Sequence, residues 1–125
     1  MSFDWSDYLT LADALSRQPT SPGPEEASLR SAISRAYYAA FGAARNFVRD
    51  RGEILLTREA SDHEIVINHY RRSTDRNRRE IGKTLRYMRD KRNDADYEDT
   101  ISKPDAEANV AVLEAARIIK LLKKL

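Results

Sequence analysis

The chain has 125 residues, no cysteine, four glycines, four prolines and a formal net charge of +2. That length suits a single domain over residues 1–125 with its own core, and zero Cys excludes disulfide scaffolds, thiol catalysis and zinc-thiolate centres. With 34% charged residues against 41% hydrophobic and few turn formers, the composition describes a helix-rich chain rather than a β sandwich. A reducing, cytoplasmic setting is the simplest expectation. Met1 to Trp5 is neither basic nor followed by an apolar run, so no secretory leader is expected. No stretch approaches the roughly 18–20 apolar residues of a membrane span, so no membrane partner is expected.

The first helix runs from about Asp4 to Leu15, with Trp5, Tyr8, Leu9, Ala12 and Leu15 at helical spacing. Gln18 to Pro24 holds three prolines and a glycine and reads as a loop. Pro24-Glu25-Glu26 opens the second helix, since proline suits the first turn and acids suit the positive end of the dipole. That helix reaches Asp50 or Arg51, before Gly52. Its apolar positions run from Leu29 through Ile33, Tyr37, Phe41 and Ala44 to Val48, a stripe wide enough for more than one neighbour. The small residues Ala39, Ala40, Gly42, Ala43 and Ala44 permit close approach, so this reads as the central helix.

Residues 52–61 form a connection, and Ser61 or Asp62 caps a short third helix with Ile65, Val66 and Tyr70 inward. The rival is a strand over Glu64 to Asn68, because Ile65-Val66-Ile67 suits strands. Asp75 caps a fourth helix to about Arg92. Ser102-Lys103-Pro104-Asp105 has the form of a capping box and starts a fifth helix, which ends as a core helix with a basic tip. The expected fold is all-α: an antiparallel helical bundle of four main helices plus one short helix.

The charge is unevenly placed. Residues 68–92 carry ten Lys and Arg against three acids, +7, which leaves −5 for the rest. On a helical wheel Arg72, Arg76, Arg79, Lys83 and Arg86 fall within an arc of about 80°. Ile81, Leu85 and Met88 lie opposite. Like charges at these spacings repel, so an acidic partner should compensate them: RNA phosphate, or an acidic patch on another protein. Arg92 falls on the apolar side, where an arginine must be paired or line a cleft; Asp94, Asp96 and Asp99 are the nearby acids. No metal-ligand spacing and no phosphate-binding glycine loop is present, so neither metal nor cofactor is expected. His63 and His69 read as surface or interface residues, although a general-base role stays open.

Two segments carry a family resemblance. Ser34-Arg35-Ala36-Tyr37-Tyr38-Ala39-Ala40-Phe41 resembles the SRAYYAAF signature of the HEPN domain (higher eukaryotes and prokaryotes nucleotide-binding). Arg92-Asn93-Asp94-Ala95-Asp96-Tyr97 resembles the family's R-x-x-A-D-Y segment. The resemblance implies a compact all-α bundle, often a homodimer, in a family rich in metal-independent ribonuclease toxins paired with a minimal nucleotidyltransferase antitoxin. It implies a site built on an Arg followed four to six residues later by a His. Here Arg92 is matched, but the spacing lands on Tyr97, Glu98 or Asp99, and no His follows His69. Arg58 and His63 meet the spacing in a different part of the chain; among sixteen Arg such a match carries little weight.

The leading expectation is therefore a HEPN protein that binds RNA or a nucleotidyltransferase partner, in a toxin–antitoxin or defence-type module, with ribonuclease activity in doubt. Arg72, Arg76, Arg79, Lys83 and Arg86 are its binding residues. One alternative is a metal-independent ribonuclease using Arg92 with Tyr97 or an imported His63. The other is a pure interaction module docking its basic helix on an acidic protein. The resemblance also makes Tyr97 the candidate acceptor of AMP from a nucleotidyltransferase.

Overall fold

The computed structural model describes residues 2–17 and 25–125. It contains five helices: α1 (Asp7–Arg17), α2 (Glu25–Asp50), α3 (Asp62–Arg71), α4 (Arg76–Tyr97) and α5 (Pro104–Leu122). The proline-rich stretch and Pro24 lie outside the described residues. The all-α expectation holds, and the Ile65-Val66-Ile67 run is helical. Val66, Ile67 and Tyr70 are buried on one face of α3 while Ile65 is only half-buried. That spacing follows a helical turn, whereas a strand would have buried alternate residues.

α2 occupies the centre. It packs against α1, α4 and α5 and touches α3, while α3 leans chiefly on α4. Thirteen of its 26 residues are buried, including Ala32, Ala36, Ala39, Ala40 and Ala44. Small side chains bring the neighbouring elements close. A Cβ added at Gly42 would lie 2.2 Å from the Trp5 ring, and one at Gly82 would lie 2.6 Å from the backbone nitrogen of Arg71. Gly42 thus seats the segment before α1 on α2, and Gly82 seats the end of α3 on α4. α2 stops in a Schellman motif: Gly52, at φ 69°, donates to the Arg49 carbonyl and Glu53 donates to that of Val48.

Several boundaries differ from expectation, each for a local reason. α1 begins at Asp7, not Asp4, because the Asp4 carboxylate accepts from the Ser6 amide (3.0 Å) and hydroxyl (2.7 Å) and holds residues 4–6 in a turn. Ser61 makes no side-chain cap. Asp62 instead folds back and accepts from the Thr57 amide, the Thr57 hydroxyl and the Arg58 amide at 2.7–2.8 Å, closing the connection before α3. Asp75 does cap α4, accepting from the Arg78 amide at 2.9 Å. α4 runs five residues past Arg92 to Tyr97, since no helix breaker follows Arg92 and Ala95 is buried there. The capping box at Ser102–Asp105 does not form: Lys103 occupies the N-cap with φ 49° and no side-chain bond, and Pro104 sets the first turn.

Candidate functional site

The inner face of α2 presents Tyr37, Tyr38 and Phe41, the first turn of α3 adds His63, and the middle of α4 adds Arg86, Arg89 and Arg92. Tyr37 is fully buried. Its hydroxyl lies 2.6 Å from His63 Nδ1. The His63 ring stacks on Phe41 at 4.2 Å between centroids and 14° between planes. The Arg92 guanidinium sits 5.6 Å from the Tyr37 ring centre and 5.4 Å from that of Tyr38. Arg92 is 9% exposed, and its one carboxylate partner is distant, with Asp96 at 3.4 Å. The Nε atoms of Arg89 and Arg92 are buried without a hydrogen-bond partner. An under-paired guanidinium among aromatic faces draws on cation–π attraction, worth about 0.5–2 kcal/mol for each ring, and leaves donor capacity for an anion.

Burial and the neighbouring charges set the protonation states. Burial, then the positive charges of Arg89 and Arg92, push the His63 imidazole from 6.5 down to about 4. Burial raises the Tyr37 phenol well above 10, against the pull of Arg89 and Arg92. Both rings are therefore neutral near pH 7, and one donates while the other accepts along their shared bond. A neutral His63 can take a proton, and the two guanidiniums can stabilise negative charge at a phosphate. Among the described residues no group of His, Asp or Glu is arranged to hold a metal ion.

Arg92 thus points inward as its place on the wheel required, onto the Tyr37 and Tyr38 rings, and His63, from a helix about thirty residues earlier in the chain, bonds to the same Tyr37. Spacing along the chain gives His63 little weight, because it lies far from Arg92 in sequence; burial of Tyr37 between α2, α3 and α4 brings the two together. Tyr97 is not among the side chains that gather there. It ends α4 and is 76% exposed. Glu64, Arg89 and the aromatic pair Tyr37–Phe41 were missed as site residues. The i, i+3 series Arg86, Arg89, Arg92, stepping from the outer face to the core, is the one sequence signal that points to them.

The basic face is also less uniform than the wheel implied. Arg72 caps the C-terminus of α3 and does not belong to α4. Arg86 forms two parallel 2.5 Å bonds to Glu64, and Arg89 adds a third at 2.9 Å. These bonds hold the Glu64 carboxyl below the usual range, Arg86 contributing most. Arg79 donates to the Ser73 and Thr74 carbonyls. Arg78, beside the ridge, pairs with Glu53, whose carboxyl falls to about 2. Much of the compensating acid is therefore internal, supplied by segments outside 68–92. Arg72, Arg76 and Lys83 are exposed and have no acidic partner among the described residues.

His63 supplies a direct check. Its NMR titration should have a midpoint near 4, and Arg89→Gln should move it upward. Because the folded value lies below 6.5, the unfolded chain binds the extra proton first. Stability from this group is then complete above about pH 6.5 and lost as pH falls toward 4. A wild-type midpoint near 6.5 contradicts the geometry.

A family model for the HEPN domain matches residues 24–125. No curated protein and no solved structure matches the chain. The matched stretch contains α2 to α5, both signature segments and every side chain of the Tyr37–His63–Arg92 cluster, and the chain belongs to the HEPN domain family.

Proposed function

We propose that this protein, acting as one domain over residues 1–125, binds RNA through the corner where α3 meets α4. We propose further that it works with a minimal nucleotidyltransferase in a toxin–antitoxin or related defence module. The observation that carries the RNA reading is the contrast within one basic surface. Arg78, Arg86 and Arg89 are neutralised by carboxylates, whereas Arg72, Arg76 and Lys83 stand exposed without one. Unpaired surface cations of one sign attract phosphate by releasing its counterions. The exposed apolar side chains Tyr87, Val110 and Leu113 on α4 and α5 suit a homodimer interface. Among the described residues no helix is long and apolar enough to cross a membrane.

The Arg76→Glu, Lys83→Glu double variant should weaken binding of single-stranded RNA by at least about tenfold. The slope of log affinity against log salt should fall by about 0.7 for each phosphate that the variant no longer neutralises. Arg79 and Arg86 are poor choices for this test because both are bonded within the fold. Unchanged affinity and slope reject the reading and leave an interaction module docking on an acidic protein.

A second reading is favoured by a separate observation, the convergence of His63 and Arg92 on buried Tyr37, with Arg89 and Arg92 near enough to lower the His63 pKa. In a metal-independent ribonuclease, His63 takes the proton of the RNA 2′-hydroxyl, the 2′-oxygen bonds to the adjacent phosphorus, the bond from phosphorus to the 5′-oxygen breaks, and that oxygen leaves with a proton from water, while Arg92 stabilises the charge on the phosphate. An incoming phosphate offsets the two guanidiniums and raises the His63 pKa toward neutrality. If the protein cleaves RNA, His63→Gln and Arg92→Ala should each lower the rate by about 10²–10⁴, with the helical CD spectrum retained. Cleavage that survives both substitutions removes this site from the chemistry.

The partner's identity bears on Tyr97. Its hydroxyl lies on the exposed end of α4, open to an enzyme that transfers AMP. The phenol oxygen would bond to the α-phosphorus of ATP, with loss of its proton and departure of pyrophosphate. Incubation with the nucleotidyltransferase and ATP should add one AMP mass to the peptide containing Tyr97, and none to that peptide from Tyr97→Phe. Absence of the adduct from the wild-type peptide rejects the acceptor role.

A further inference from the structure

The Glu64 carboxylate is gripped as a bound anion would be. It stands in the first turn of α3 and accepts two parallel bonds of 2.5 Å from Arg86 and one of 2.9 Å from Arg89, both on α4. A weaker contact, 3.4 Å long, comes from the Asn68 amide. Arg86, Arg89 and Arg92 follow one another at i, i+3 along α4, and their side chains are 30%, 19% and 11% exposed. The series therefore leads from the surface inward to the Tyr37 and Tyr38 rings, with Glu64 at its outer end. Asp90 and Asp96 are the other acids beside it. Asp96 reaches Arg92 at 3.4 Å, and Asp90 acts on Arg86 through its charge.

Two features make this clamp exchangeable. The Glu64 side chain is 45% exposed, so a second anion can reach the same guanidiniums from solvent. Arg89 and Arg92 also keep buried Nε donors that Glu64 and Asp96 leave unused, whereas buried donors are ordinarily satisfied. A carboxylate and a phosphodiester each offer two equivalent oxygens that share one negative charge, and guanidiniums bond both in the same forked manner. Replacing one by the other leaves the charge of the cluster unchanged; a phosphate monoester would bring close to two charges. Because Glu64 is tethered to α3, it competes at high effective concentration. A lone small anion is thereby kept out. A strand that also meets Arg72, Arg76 and Lys83 gains the further contacts needed to displace it.

We propose that Glu64 is an internal stand-in for an RNA phosphodiester, holding the place between Arg86 and Arg89 in the free protein and giving it up when RNA binds. The released carboxylate turns to solvent, and the diester takes its place on the two guanidiniums. This rests on the reading of the Tyr37–His63–Arg92 cluster as a phosphate site and adds its control; it requires no cleavage there.

Dimethyl phosphate isolates the exchange, because it carries the diester group and nothing else of RNA. The full chain is titrated with it and followed through the His63 ring signals, which respond to the charge of Arg89. Glu64→Gln should bind this probe at least about tenfold more tightly than wild type, the effect of removing one competing charge-assisted pair. The His63 midpoint of the free variant should lie below that of wild type and rise when the probe is bound. Glu64→Asp keeps the charge but withdraws it by one methylene; it should show intermediate affinity, and it carries the test if Glu64→Gln does not fold. Arg76→Glu with Lys83→Glu should leave the probe affinity unchanged, which tells a failed exchange from a failed RNA surface. In wild type, a short oligouridylate should raise the Glu64 carboxyl titration toward the usual carboxylate range as Arg86 and Arg89 release it. Equal probe affinity in wild type and both variants, or a lower melting temperature of Glu64→Gln with no gain in probe binding, makes Glu64 a structural clamp and overturns the proposal. So does an oligouridylate that does not bind, or one that binds and leaves the Glu64 titration where it was.

Discussion

The enclosure of α2 is the constraint on which the other features rest. Half of that helix is buried, and its alanines together with Gly42 let α1, α4 and α5 approach its axis. A helix surrounded in this way must place its larger side chains in the gaps between its neighbours. Tyr37 and Phe41 fill the gap facing α3 and α4. They then form an aromatic floor for whatever those helices bring inward, and what they bring is one imidazole and two guanidiniums. The cluster is in this sense a consequence of packing, and its composition departs from what packing alone would select.

A core built only for stability would not place His63, Arg89 and Arg92 together. Taking cations out of water costs free energy unless they are paired, and here the pairing is incomplete. Glu64 serves Arg86 and Arg89, while Arg92 has distant Asp96 and two aromatic faces. Burial first, and these incompletely paired guanidiniums second, give a histidine that stays neutral far below its ordinary range. Such perturbed groups gather where chemistry or binding needs them more often than elsewhere.

The helices themselves were legible in the sequence because their signals are local. Asp75 at the start of α4, Gly52 at the end of α2, and the Leu29-to-Val48 stripe each act within a few residues of chain. The inward turn of Arg92 was legible for the same reason, since a wheel needs only the helix. What failed were signals that met a competing bond or a buried seat. Asp62 has capping chemistry but closes a loop instead. α4 continues past Arg92 because Ala95 finds a buried seat.

The amino-acid sequence by itself determined the all-α class, the central role of α2 and the surplus of positive charge in residues 68–92. It could not apportion that surplus, because Coulomb partners are chosen by distance in space and not along the chain. Only the tertiary structure decided that Glu53 and Glu64 neutralise Arg78, Arg86 and Arg89 while Arg72, Arg76 and Lys83 remain open to a partner. It decided equally that His63 and Arg92 converge on the same buried Tyr37. A motif reads spacing in one direction along one segment, whereas a buried tyrosine shared by three helices joins residues from each of them.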